Sequence, residues 1–149
     1  MDTIHLHPSL KEYILVAGSS IVVRDLSDPH NQHFLTAHDA QITCLAVSNN
    51  GAFLASGQHG ENSDIVIWDF ANKKAIYRLS EHDHEVALVS FSHDDRLLLS
   101  CGNALDGKLF VWNTANGHIV SSLALVPSVT TESPKCLAWG VFVKDVKGR

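Results

Sequence analysis

A period of 44 residues runs through this chain and limits what it can fold into. Ile21-Val22-Val23-Arg24-Asp25, Ile65-Val66-Ile67-Trp68-Asp69 and Leu109-Phe110-Val111-Trp112-Asn113 align without a gap at that spacing. His38 and His82 obey it, as do the apolar runs Ile42 to Val47 and Val86 to Phe91. A unit of this size is one supersecondary element that cannot bury its apolar face alone, so neighbouring units must stack.

Within each period, short runs of Val, Ile, Leu and Phe alternate with turn residues, and no helical periodicity interrupts them. The first unit is expected to use strands at 4–7, 13–17, 20–26 and 32–35. The second is expected to use 42–47, 52–56, 64–70 and 75–79, and the third 86–91, 96–100, 108–113 and 118–123. Turn signals separate them at His7-Pro8-Ser9, Asn49-Asn50-Gly51, His93-Asp94-Asp95 and Ala115-Asn116-Gly117.

A β-rich period in the low forties that ends on Trp-Asp or its like is the mark of a WD-repeat β-propeller. The expected fold is all-β: about three four-stranded antiparallel blades, at residues 3–35, 36–80 and 81–125, plus the start of a fourth. Residues 126–149 read as a polar connector, with Pro127, Ser128, Thr130, Thr131, Ser133 and Pro134, followed by an incomplete repeat. There Cys136-Leu137-Ala138-Trp139 resembles Cys44-Leu45-Ala46-Val47. Propellers close with about four to eight blades. The expectation is therefore that further repeats or another chain complete the ring, or that the chain is a truncated product.

Composition narrows the function classes. An apolar content of 45% argues against disorder, and 11 Lys and Arg against 16 Asp and Glu give a net charge of -5. The basic residues are scattered apart from Lys144, Lys147 and Arg149, so no nucleic-acid footprint is expected. No apolar stretch approaches the roughly 20 residues that span a bilayer. The start of the chain lacks a basic-then-apolar leader pattern, and Cys44, Cys101 and Cys136 form no close pair, which fits a reduced cytoplasmic chain.

The residues that could carry chemistry recur with the repeat. His82, Asp106, Ser100 and Trp112 in the third unit, and His38, Ser56 and Trp68 in the second, are expected to form a buried hydrogen-bond network. Asn62 or Asp64 is the candidate for the acidic place in the second unit. A catalytic Ser-His-Asp reading fails because the set repeats and its Trp belongs to the fold. The first unit has Arg24 in the Trp place. The 10 histidines include His5 with His7 and His82 with His84, but no CxxC or HxxxH spacing supports a metal. Gly57, Gly60, Gly102 and Gly107 are expected in turns rather than in a phosphate-binding loop. No cofactor is expected. Ser56 to Trp68 and Ser100 to Trp112 enclose long turns, and Gln58, His59, Glu61, Asn62, Asn103 and Leu105 are the candidate partner contacts.

The runs Phe34-Leu35-Thr36-Ala37-His38, Leu54-Ala55-Ser56-Gly57-Gln58, Asp64 to Asp69 and Asp106 to Trp112 resemble the ciliary and flagellar branch of the WD-repeat family over residues 3–123. That resemblance implies a non-catalytic scaffold: a microtubule inner protein at the junction of A- and B-tubules in doublet microtubules. It implies tubulin and other axonemal proteins as partners, a place in the axoneme of the cilium or flagellum, and support of axoneme stability and motility. Centriolar WD-repeat proteins share much of the pattern. A soluble adaptor in a signalling or ubiquitin-ligase complex is the competing reading, because fold does not set function.

Overall fold

The structure, a computed structural model, describes residues 4–124. The expected connector and incomplete fourth repeat, with Cys136, Trp139 and the basic residues near the end, lie outside the described residues. The first sheet runs in chain order through β1 (Ile4–Leu6), β2 (Glu12–Ala17), β3 (Ser20–Asp25) and β4 (Gln32–Thr36). The second is β5 (Ile42–Val47), β6 (Phe53–Gln58), β7 (Ile65–Asp69) and β8 (Lys74–Leu79). The third is β9 (Val86–Phe91), β10 (Leu97–Gly102), β11 (Lys108–Asn113) and β12 (Ile119–Ala124). Every pairing is antiparallel.

Alternation along the strands explains how the sheets stack. In the second sheet Leu54, Val66 and Trp68 join a core with Ile14, Ile21, Val23 and Leu35 of the first. Their neighbours Ala55, Ile65 and Ile67 join a second core with Val86, Leu98, Phe110 and Trp112 of the third. The unbroken apolar run Ile65 to Trp68 is thus buried on both faces of the middle sheet. Each fully buried aliphatic side chain contributes about 1.5–3 kcal/mol, so these two interfaces hold the array together.

The first turn of each sheet is built alike. Backbone bonds Leu10 N to His7 O, Gly51 N to Ser48 O and Asp95 N to Ser92 O close it, and Leu10, Gly51 and Asp95 all have positive φ. Each turn also grips the next. His7 Nε2 donates to Gly51 O at 2.8 Å, its ring stacked on Phe70. Asp95 accepts from Asn49 N, Asn49 Nδ2 and Asn50 N at 2.7 to 2.9 Å.

Two strands run two residues past the ends that the sequence indicates. β6 continues to Gln58 and β10 to Gly102, so Gly57 and Gly102 lie in strands and not in turns. The extension depends on bulges in the inner pairings, between Ile42 and Cys44 and between Cys101 and Gly102. Gly57 sits there because a Cβ would stand 2.7 Å from Cys44 Sγ and from Val86, where β9 crosses β6 closely.

The two end sheets each leave an apolar face without a neighbour among the described residues. Register sets Ile4, Leu15, Val22 and Phe34 in one row on the side away from the second sheet. Ile4, Leu6 and Phe34 are exposed there, as is Leu123 beside Leu109 on the far side of the third sheet.

Candidate functional site

Strand order puts the connections 37–41, 59–64, 80–85 and 103–107 at one end of the array, and the buried histidines anchor that end. In the third sheet Trp112 Nε1 donates to Ser100 Oγ at 2.9 Å, and Ser100 Oγ lies 2.9 Å from His82 Nε2. His82 Nδ1 lies 2.7 Å from Asp106 Oδ2. A carboxylate only accepts, so Nδ1 carries the proton and Nε2 accepts from the serine. Asp106 also accepts from the backbone of Asp83, His84 and Lys108, which ties the 103–107 turn to the 80–85 connection.

The second sheet reaches the same end by a different route. Trp68 Nε1 donates to Ser56 Oγ at 2.9 Å, and His38 Nε2 lies 2.6 Å from that oxygen. The partner of His38 Nδ1 is Gln58 Oε1 at 2.8 Å, and Gln58 Nε2 donates to Asp39 Oδ1 at 3.1 Å. Neither Asn62 nor Asp64 takes the acidic place, which corrects the sequence expectation. Asp64 is drawn to Arg78 and Ser80. Asn62 is turned toward the third sheet, its N–H donating to Asp83 O.

Gln58 and Gly102 are equivalent positions, 44 residues apart. At Gly102 an added Cβ would stand 2.0 Å from Asp106 Oδ2. A glycine there leaves room for an acid to come in from the turn, whereas a glutamine there fills the same room itself. The two repeats thus meet one hydrogen-bonding demand with different residues. The exchange also frees the 59–64 turn from its own histidine, and His59 Nδ1 instead lies 3.3 Å from Glu85.

Gln58 is therefore not a surface group: it is 5% exposed with both ends of its amide engaged. His59, Glu61, Asn62 and Leu105 are exposed and Asn103 is half-buried. Of the lysines that could meet an acidic partner, Lys73 is bound to Phe70 and Glu12, and Lys108 to Asp83, while Lys74 is exposed.

Although His82, Ser100 and Asp106 have the distances of a nucleophilic triad, Ser100 is fully buried and its oxygen already receives the Trp112 N–H. A nucleophile needs an open side for the reacting carbon, and this one is sealed by its own core. A cleft of about 480 Å³ beside Asp95, Arg96 and Thr114 offers no alternative, because the Thr114 hydroxyl is bonded to backbone carbonyls. Burial pushes the Cys44 thiol up to about 12 and raises that of Cys101, so neither is poised as a thiolate. Among the described residues no group of three His, Cys, Asp or Glu could hold a metal ion.

The family model described as WD domain, G-beta repeat, matches residues 29–69 and 73–113. The chain belongs to the WD40 repeat family. Each matched WD40 unit takes the outer strand of one sheet and the three inner strands of the next, β4 to β7 and β8 to β11, so every unit covalently bridges an interface. The fold typically serves as a non-catalytic scaffold that binds partner proteins. Among curated relatives, Cilia- and flagella-associated protein 52 of Chlamydomonas reinhardtii is 48% identical over 52 residues, which is 35% of this chain and 8% of the relative's length. Two solved WD40 structures share the fold. One, titled "Structure of U3-55K", has a TM-score of 0.74 at 22% identity, covering 88% of this chain and 40% of that one. The other, "Crystal structure of RRP9 WD40 repeats", has a TM-score of 0.72 at 23% identity, covering 81% and 37%.

Proposed function

We propose that this chain is a non-catalytic scaffold of the doublet microtubules of cilia and flagella, a microtubule inner protein at the junction of the A- and B-tubules. The observation that carries the reading is the 48% identity over 52 residues to a cilia- and flagella-associated protein. The physical character of the repeats supports it. Rigid antiparallel sheets hold the exposed residues His59, Glu61, Asn62 and Leu105 and the half-buried Asn103 as fixed contact points, and many modest contacts suit an architectural role. Tubulin and other axonemal proteins are the proposed partners, with Lys74 the exposed lysine of the second sheet. The bare apolar rows around Ile4, Leu6 and Phe34 and around Leu123 are proposed to be covered by further blades, from the same polypeptide or another chain.

The test is fractionation of axonemes from ciliated cells that express the tagged chain. It is expected to stay with the doublets after detergent and moderate salt have removed the membrane and matrix. Release of the whole pool with the soluble matrix, together with ubiquitin-ligase or signalling subunits and without tubulin, would replace this reading with that of a soluble adaptor.

A further inference from the structure

His38 and His82 occupy equivalent places but face different partners, and the difference bears on protonation. The His38 ring is committed in one sense. Nδ1–H donates to the neutral Gln58 amide oxygen, and Nε2 accepts the Ser56 hydroxyl, which itself accepts the Trp68 N–H. A second proton on Nε2 would force that nitrogen to donate to Ser56 Oγ, leaving the hydroxyl proton without an acceptor in a buried site. His82 has the same serine and tryptophan, but an added positive charge there would form an ion pair with the Asp106 carboxylate at 2.7 Å.

We propose that the connection between the first and second sheets is an acid-sensitive joint, closed while His38 is neutral and opened by its protonation, whereas the equivalent joint at His82 stays closed. The segment His38 anchors is the one that links the sheets. Ala37 O accepts from Arg78, Gln41 O accepts from His59 N, and Ile42 N donates to Gly18 O in the first sheet. The charged groups facing His38 from its surroundings are Asp39 in its own connection, Asp64 in the 59–64 turn and Arg78 on β8. Burial dominates among these influences and lowers the His38 value from the ordinary 6.5. The Gln58 bond opposes it, Arg78 adds to it, and Asp64 and Asp39 counter it.

The sign follows from linkage. A histidine kept neutral in the fold and free to titrate once released contributes stability that is whole above its ordinary value. That stability is lost as pH falls below it. With one proton taken up on opening, the open fraction of the joint grows about tenfold per pH unit below about 6.5 until the folded ring itself titrates.

Hydrogen exchange of the whole chain from about pH 7.5 to about pH 5.5 reads this directly, with rates normalised to the intrinsic rate at each pH. Protection at residues 37–42 and 54–58 is expected to fall with that slope. Protection at 81–86 and 98–102, where the Asp106 carboxylate stands in place of the Gln58 amide, is expected to fall much less steeply. The double variant Gln58→Gly, Asn62→Asp transplants the third sheet's arrangement and is expected to flatten the response at 37–42. The variant His38→Asn is expected to lower protection there at all pH values and to remove the slope. A parallel loss at both joints, no loss at 37–42, or a slope that survives in His38→Asn would each overturn the proposal.

Discussion

Gly102→Ala is a one-methyl change whose cost follows from the seat of Asp106. The added Cβ would stand 2.0 Å from Asp106 Oδ2 and 2.4 Å from its Cβ and Cγ, so the acid must leave. Its departure removes the acceptor for the His82 ring and for the backbone N–H groups of Asp83, His84 and Lys108. Bonds to a charged acceptor contribute about 1.5–3 kcal/mol each, though not additively. Overpacking a core adds about 1–3 kcal/mol. A total of about 3–5 kcal/mol is expected, a large share of a stability that is about 5–15 kcal/mol in ordinary domains. Asp106→Gly, which removes the Cβ together with the carboxylate, should cost nearly as much on its own. Adding Gly102→Ala to that variant should then cost under about 0.5 kcal/mol, because the space is already empty and alanine disfavours a strand less than glycine does. Urea unfolding followed by tryptophan fluorescence, with the slope held constant between variants, measures all corners of the cycle. A Gly102→Ala variant within about 0.5 kcal/mol of the parent, or single costs that simply add, would refute the argument that this glycine exists to admit the acid.

Other positions give shorter tests. Asp95→Ala strips the acceptor from three N–H groups of Asn49 and Asn50 and should cost about 2–3 kcal/mol in the same denaturation assay; Asp95→Gly should cost less, because φ is +61° there. Gly51→Ala places a Cβ 2.7 Å from the His7 ring at a φ of +77° and should cost about 1–3 kcal/mol. Pairing it with His7→Ala should recover the steric part but not the backbone part. The Cys44 thiol, pushed up to about 12 by burial, should resist iodoacetamide in the folded chain at about pH 8 and react once urea unfolds it, as read by peptide-resolved mass spectrometry; labelling at equal rates in both states would count against its burial.

Much of this architecture was legible because it depends on local alternation and on a period. Ile65 to Trp68 reads as a strand from its apolar, β-branched run, and the 44-residue step puts Trp112 in the same relation to Ser100 as Trp68 to Ser56. The acid of the second sheet was not legible for an equally local reason. Asn62 stands one period before Asp106 and is the natural candidate by spacing, yet its place is decided by Gln58. Ser56-Gly57-Gln58 looks like the start of a turn. It becomes strand only through pairing with β5, sixteen residues upstream at the Ile42–Gln58 step, across a bulge that composition does not announce.

The same exchange shows how a repeat can keep its shape while changing what it presents. Where glycine stands at this position, the following turn must return its own acid to the histidine, and 103–107 is pinned in place. Where glutamine stands, the debt is settled inside the strand, and 59–64 is left to contact the neighbouring connection through Asn62 and His59. In this chain the strand residue buried beneath each turn, Gln58 or Gly102, thus decides which partners the turn takes, and a surface survey of the loops alone would miss it.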